Sequence, residues 1–101
     1  MTETVDLYVI ARLESDAAVA DILCCEVFYD AEDGAVTGRS VGGWWESVAT
    51  APGRPATLEA LDEELYLGGY IRAGAWRQRV TAAGATRYFA DATADLDDLD
   101  R

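Results

Sequence analysis

Chemistry in this chain of 101 residues has to be built from carboxylates, arginines, hydroxyls and two thiols, because it contains no histidine and all eight of its basic residues are arginines. That excludes a histidine base or metal ligand, a lysine Schiff base and a P-loop lysine. Gly38-Arg39-Ser40-Val41-Gly42 has the spacing of a serine nucleophile elbow, in which a strained strand-to-helix turn holds the serine beside a histidine. With no histidine to supply, and Gly42-Gly43-Trp44-Trp45 where a helix should start, the glycines read as bends in or after a strand. Cys24 and Cys25 are adjacent, so on a strand they point to opposite faces, and with no CxxC or Cys/His cluster they read as two reduced thiols packed as small apolar residues. Asp95, Asp97, Asp98 and Asp100 imitate a calcium loop only loosely, since neither the glycine nor the bidentate glutamate of an EF-hand follows. No catalytic residue, metal site or cofactor is assigned, and the chain reads as a non-enzyme.

The carboxylates form the remaining constellation. Nineteen acids give a formal charge of −11, distributed unevenly: residues 65–90 carry four arginines (Arg72, Arg77, Arg79, Arg87) and no acid, between an acidic body and an acidic tail. On a helix, Glu59, Asp62 and Glu63 fall close together, with Tyr66 on the same side. Asp30, Glu32 and Asp33, together with Asp95, Asp97 and Asp98, could extend this into a row of negative charge on the scale of a nucleic-acid backbone. An ordinary solvated helix face is the plainer reading of the same residues. Of the neighbours Trp44 and Trp45, one is expected in the core, and Trp45, beside Glu46, is the candidate interface anchor. The arginines interleave with Tyr70, Trp76, Tyr88 and Phe89 as on a single-strand platform, but the net charge opposes nucleic acid, and pairing with the acidic tail or a neighbouring subunit is favoured.

The elements that must position these residues follow from periodicity. Alternation over Val5–Leu13 predicts a first strand. Ser15 and Asp16 predict a helix start before Ala17–Leu23. Alternation then resumes over Leu23–Tyr29, and Asp33-Gly34 predicts a hairpin into Ala35–Val41. Thr50–Pro55 reads as a loop, and Thr57 caps a helix over Leu58–Leu67, ended by Gly68-Gly69, with Leu58, Leu61 and Leu65 as its buried stripe. A last hairpin joins Ala75–Thr81 to Ala85–Ala90. The expected fold is α+β, a small antiparallel sheet with one or two helices packed on one face, formed by residues 1–90 as a single domain, with 91–101 as an acidic tail or short terminal helix.

An acidic N-terminus and the lack of a long apolar stretch predict a cytoplasmic protein with no membrane partner. In size and acidity the chain resembles phage-encoded inhibitors of bacterial defence, anti-CRISPR and anti-restriction proteins among them, a likeness of type without residue-by-residue correspondence. The expected function is that of a DNA mimic, an acidic inhibitor that makes protein–protein contact with the basic nucleic-acid groove of a larger complex, with no direct nucleic-acid binding. The alternative is a self-associating assembly protein, a homodimer being one form, whose basic hairpin meets its acidic surface and whose acidity reflects a high-GC or salt-adapted composition.

Overall fold

The computed structural model describes residues 4–95. It contains strands β1 (Thr4–Leu13), β2 (Ala18–Tyr29) and β3 (Val36–Ala49), one helix, α1 (Leu58–Leu67), and strands β4 (Tyr70–Arg72), β5 (Arg77–Val80) and β6 (Thr86–Asp95). All six strands form a single antiparallel sheet in the order β3-β2-β1-β6-β4, with β5 also pairing to β6. The short strands β4 and β5 therefore share one edge, β4 against Ala92–Ala94 and β5 against Thr86–Phe89. The other edge is the long strand β3.

This is a mostly β fold, which corrects the expected α+β class with one or two helices on a sheet face. The difference lies at Ala17–Leu23, expected as helix and found inside β2. Leu13 pairs directly with Ala18, and the Glu14 N–H donates to the Ala17 carbonyl at 2.8 Å, so Ser15 and Asp16 occupy a tight strand-to-strand turn. Along β2, Ala18, Ala20 and Ile22 are buried while Val19, Asp21 and Leu23 are half-buried, an alternation of period two that an alanine-rich stretch conceals. Seven register pairs to β1 outweigh the helical propensity of alanine.

The core lies on one face of the sheet. Leu7, Val9 and Ala11 of β1, Ala18, Ala20 and Ile22 of β2, and Ala92 and Ala94 of β6 are buried there beneath Leu61 and Leu65 of α1 and the ring of Tyr70. The alanines leave the space that these larger side chains fill, and burying Leu61 completely contributes about 1.5–3 kcal/mol. The helix begins as its sequence dictates: the Thr57 hydroxyl accepts from the Ala60 N–H at 3.2 Å, and Gly68 closes the last turn by donating to the Glu64 and Leu65 carbonyls. Gly69, at φ +93°, then turns the chain directly into β4.

The opposite face is open. It carries Tyr8, Ile10, Asp21, Leu23, Phe89 and Asp91, with Tyr8 and Phe89 stacked at a centroid distance of 6.0 Å. Arg39 of β3 reaches Asp91 of β6 at 3.3 Å, although β2 and β1 lie between them. On a flat sheet that is three strand spacings, about 14 Å. The register irregularities between Ile22 and Cys25, opposite Glu46 to Val41, supply the bend that folds the β2–β3 hairpin toward this face. The two strands close on Asp30-Ala31-Glu32-Asp33-Gly34-Ala35, with Gly34 at φ +73°.

Candidate functional site

Four exposed side chains of α1, Glu59, Glu63, Tyr66 and Leu67, project away from the core. Glu59 and Glu63 are one helical turn apart, and Tyr66, 73 % exposed, continues their ridge. Beside Tyr66 lie Leu67, 78 % exposed, and Ile71, so three large apolar side chains are uncovered at the α1–β4 corner. They border a groove of about 530 Å³ whose polar margin is made by Asp62, Glu63 and Arg72. The corner exists because Leu61 and Leu65 must face the sheet, which turns Tyr66 and Leu67 outward, and because Gly68-Gly69 sets β4 immediately beside the helix end.

The acids expected to act as one row have different employments. Asp62 faces inward and along the helix, accepting from Arg72 Nε and an Arg72 terminal nitrogen at 3.2 Å each and from Trp76 Nε1 at 3.0 Å. The Arg72 guanidinium also lies over the Trp76 ring, 5.4 Å from its centroid. Asp62 thus ties α1 to the β4–β5 edge. Glu63 pairs with Arg54 in the loop before the helix. Asp30 accepts the backbone N–H groups of Glu32 at 2.7 Å and Asp33 at 3.2 Å, and Asp33 accepts that of Ala35 at 2.9 Å, so two of the three tip acids close the hairpin turn. Glu32 is exposed at that tip. Asp95 is the last residue of β6, paired with Thr4, so the stretch set apart as a tail begins within the sheet. Asp97, Asp98 and Asp100 lie outside the described residues.

The tryptophans divide differently from expectation, because β3 is an edge strand and neither ring enters the core. Trp44 is 64 % exposed on the open face, its Nε1 donating to Ser47 Oγ at 3.1 Å, and Trp45 is 36 % exposed. Tyr70 is buried and its hydroxyl donates to Glu46; burial first, then this bond to a carboxylate, push the phenol well above its ordinary value. Ser40 sits within β3, paired with Glu26, rather than on a strand-to-helix elbow. Cys24 and Cys25 are both free, and Cys25 Sγ accepts from Arg39 at 3.2 Å. Among the described residues no group of three or more Cys, Asp or Glu side chains is placed to hold a metal ion, and no helix is long and apolar enough to cross a membrane.

Sequence reasoning placed Tyr66 on the exposed side of α1 but missed Leu67 and Ile71. The signal was present: Leu67 lies off the Leu58–Leu61–Leu65 stripe, and an apolar residue there has no core to enter. No protein-family model, curated protein or solved structure matches this chain.

Proposed function

We propose that this is a non-enzymatic binding protein that occupies a basic, nucleic-acid-binding surface of a larger cytoplasmic complex. The observation that carries the reading is the α1 ridge: Glu59 and Glu63 beside the uncovered side chains of Tyr66, Leu67 and Ile71. Apolar anchors bordered by charge are the anatomy of a protein-contact surface, with the energy concentrated in a few aromatic residues and the charges governing encounter and register. A formal charge of −11 favours a partner lined with arginine and lysine and opposes free nucleic acid. Asp62, Asp30 and Asp33 contribute to this surface through the fold they hold rather than as free contacts.

The test is capture from lysate by the immobilised protein, challenged with duplex DNA and with salt. Nucleic-acid-binding complexes should be retained, displaced by added duplex, and held less tightly as salt rises. The triple variant Glu59→Arg, Glu63→Arg, Tyr66→Ala should retain none, the tyrosine alone accounting for about 2 kcal/mol, roughly thirtyfold in affinity. Equal capture by a folded triple variant, or capture indifferent to duplex DNA, would refute the proposal.

A further inference from the structure

The open face of the sheet carries Asp6, Asp21, Asp91 and Asp95 beside its arginines, but its β5–β6 end presents arginines without a carboxylate among the described residues. Arg77 pairs with Phe89 and Arg79 with Arg87 across β5–β6, and paired residues share a face, so all three arginines stand on the side away from the core. Arg12 lies on the same face of β1. Arg12 is taken by Asp21 and Glu14, and Asp91 is shared by Arg39 and Arg77, at 3.3 and 3.7 Å. Arg79 and Arg87 have no carboxylate partner among the described residues, and they oppose one another directly in the register. Two like charges in that arrangement destabilise a sheet unless an anion lies between them.

The molecule carries a matching anion elsewhere. Glu59 and Glu63, one helical turn apart, have Cβ atoms about 5–6 Å apart, and directly opposed strand residues such as Arg79 and Arg87 have theirs about 4.5–5.5 Å apart. Glu59 has no cationic partner among the described residues, and Glu63 has only the exposed Arg54.

We infer that the Arg79–Arg87 surface is a docking site for the α1 ridge of a second copy of this chain, Glu59 and Glu63 of one copy meeting Arg87 and Arg79 of the next. The contact is head-to-tail: it joins different surfaces of the two copies, so each copy keeps one surface free for the next, and the assembly grows unless its rotation closes a ring. It stands independently of the partner reading, but the two uses of Glu59 and Glu63 exclude one another.

Sedimentation velocity on the whole chain tests this. At about 20 mM salt, where screening extends over roughly 20 Å, the average mass should rise with protein concentration above that of one chain and fall back to it by about 0.5 M. The pair Arg79→Glu, Arg87→Glu and the pair Glu59→Arg, Glu63→Arg should each remain at the mass of one chain, and an equimolar mixture of the two should associate again. Arg79→Gln, Arg87→Gln, which adds no new charge, should also stay monomeric and guards against misfolding of the reversed variants. A wild type that stays monomeric at low salt, variants that associate as it does, or a mixture that fails to re-associate would each overturn the inference. So would a labelled single-stranded oligonucleotide that binds the monomer and is lost with Arg79→Gln, Arg87→Gln, since the arginines would then serve nucleic acid.

Discussion

Replacing Asp62 with alanine should loosen the fold before it affects any partner. The carboxylate accepts two bonds from Arg72, at 3.2 Å each, and one from Trp76 Nε1 at 3.0 Å, while about a third of the side chain remains in contact with solvent. That exposure limits the ion pair to about 1 kcal/mol. The indole bond adds about 1 kcal/mol, since a half-buried N–H loses its acceptor. The total, about 2 kcal/mol, is a sizeable part of the stability of a domain this small and corresponds to a fall of about 10 °C in Tm. Asp62→Asn keeps an acceptor for Trp76 and surrenders the charge, so it should fall about halfway. Thermal melts by circular dichroism would read the order, and tryptophan emission should shift to the red as the Trp76 N–H loses its partner. If Asp62→Ala melts within about 2 °C of wild type yet loses the partner, the carboxylate faces outward to a binding surface, and the argument that it braces α1 against the sheet edge fails.

Two further outcomes bear on the core. Thr50→Ala should cost about 1–3 kcal/mol in urea denaturation, because the Thr50 hydroxyl accepts from the buried Ala18 N–H at 3.0 Å; Thr50→Ser, which keeps the acceptor, should recover most of it, and equal midpoints for both variants would count against this account. Tyr70, whose phenol is raised above its ordinary 10.0 by burial and by Glu46, should contribute fully below about pH 10; above it the unfolded state loses the proton first, so stability should decline by up to about 1.4 kcal/mol per pH unit, and Tyr70→Phe should remove that part of the slope in melts across the alkaline range.

Legibility in the sequence tracked how local the determining physics was. The helix over Leu58–Leu67, its Thr57 cap and its glycine stop were readable because cap, stripe and terminator all lie within the same dozen or so positions. The hairpins at Asp33-Gly34 and around Gly84 were readable for the same reason, each turn being closed by its own residues. The start of β2 was not. Its alanines suit a helix locally, and only the facing residues of β1 and β3 make them a strand. Strand β4 escaped notice because three residues carry no period, and its existence depends on Ala92–Ala94. For the candidate site, composition showed the sign of the surface. It could not show that Asp62 binds inside the molecule, since its partnership with Arg72 and Trp76 is set by the tertiary arrangement, whereas Asp30 and Asp33 bond amides only two or three residues away, a local turn pattern.

Among the described residues, strand β6 is the only sheet partner of β4 and β5 and one of the two partners of β1. It is also the last of the described strands in chain order, pairing Leu7 with Ala92 across nearly the whole described chain. During synthesis, β1, β2 and β3 can meet as successive hairpins while the nascent chain is still growing, but Val5, Leu7 and Val9 then present an open edge beside an uncovered apolar face. Such an edge persists until the last strand leaves the ribosome, and closing so distant a pair makes folding slow for a chain this short. The interval before β6 docks is when the molecule is most exposed to joining edges with another half-made chain, so the rate at which Thr86–Asp95 are made and emerge bears directly on how much of it reaches the native state.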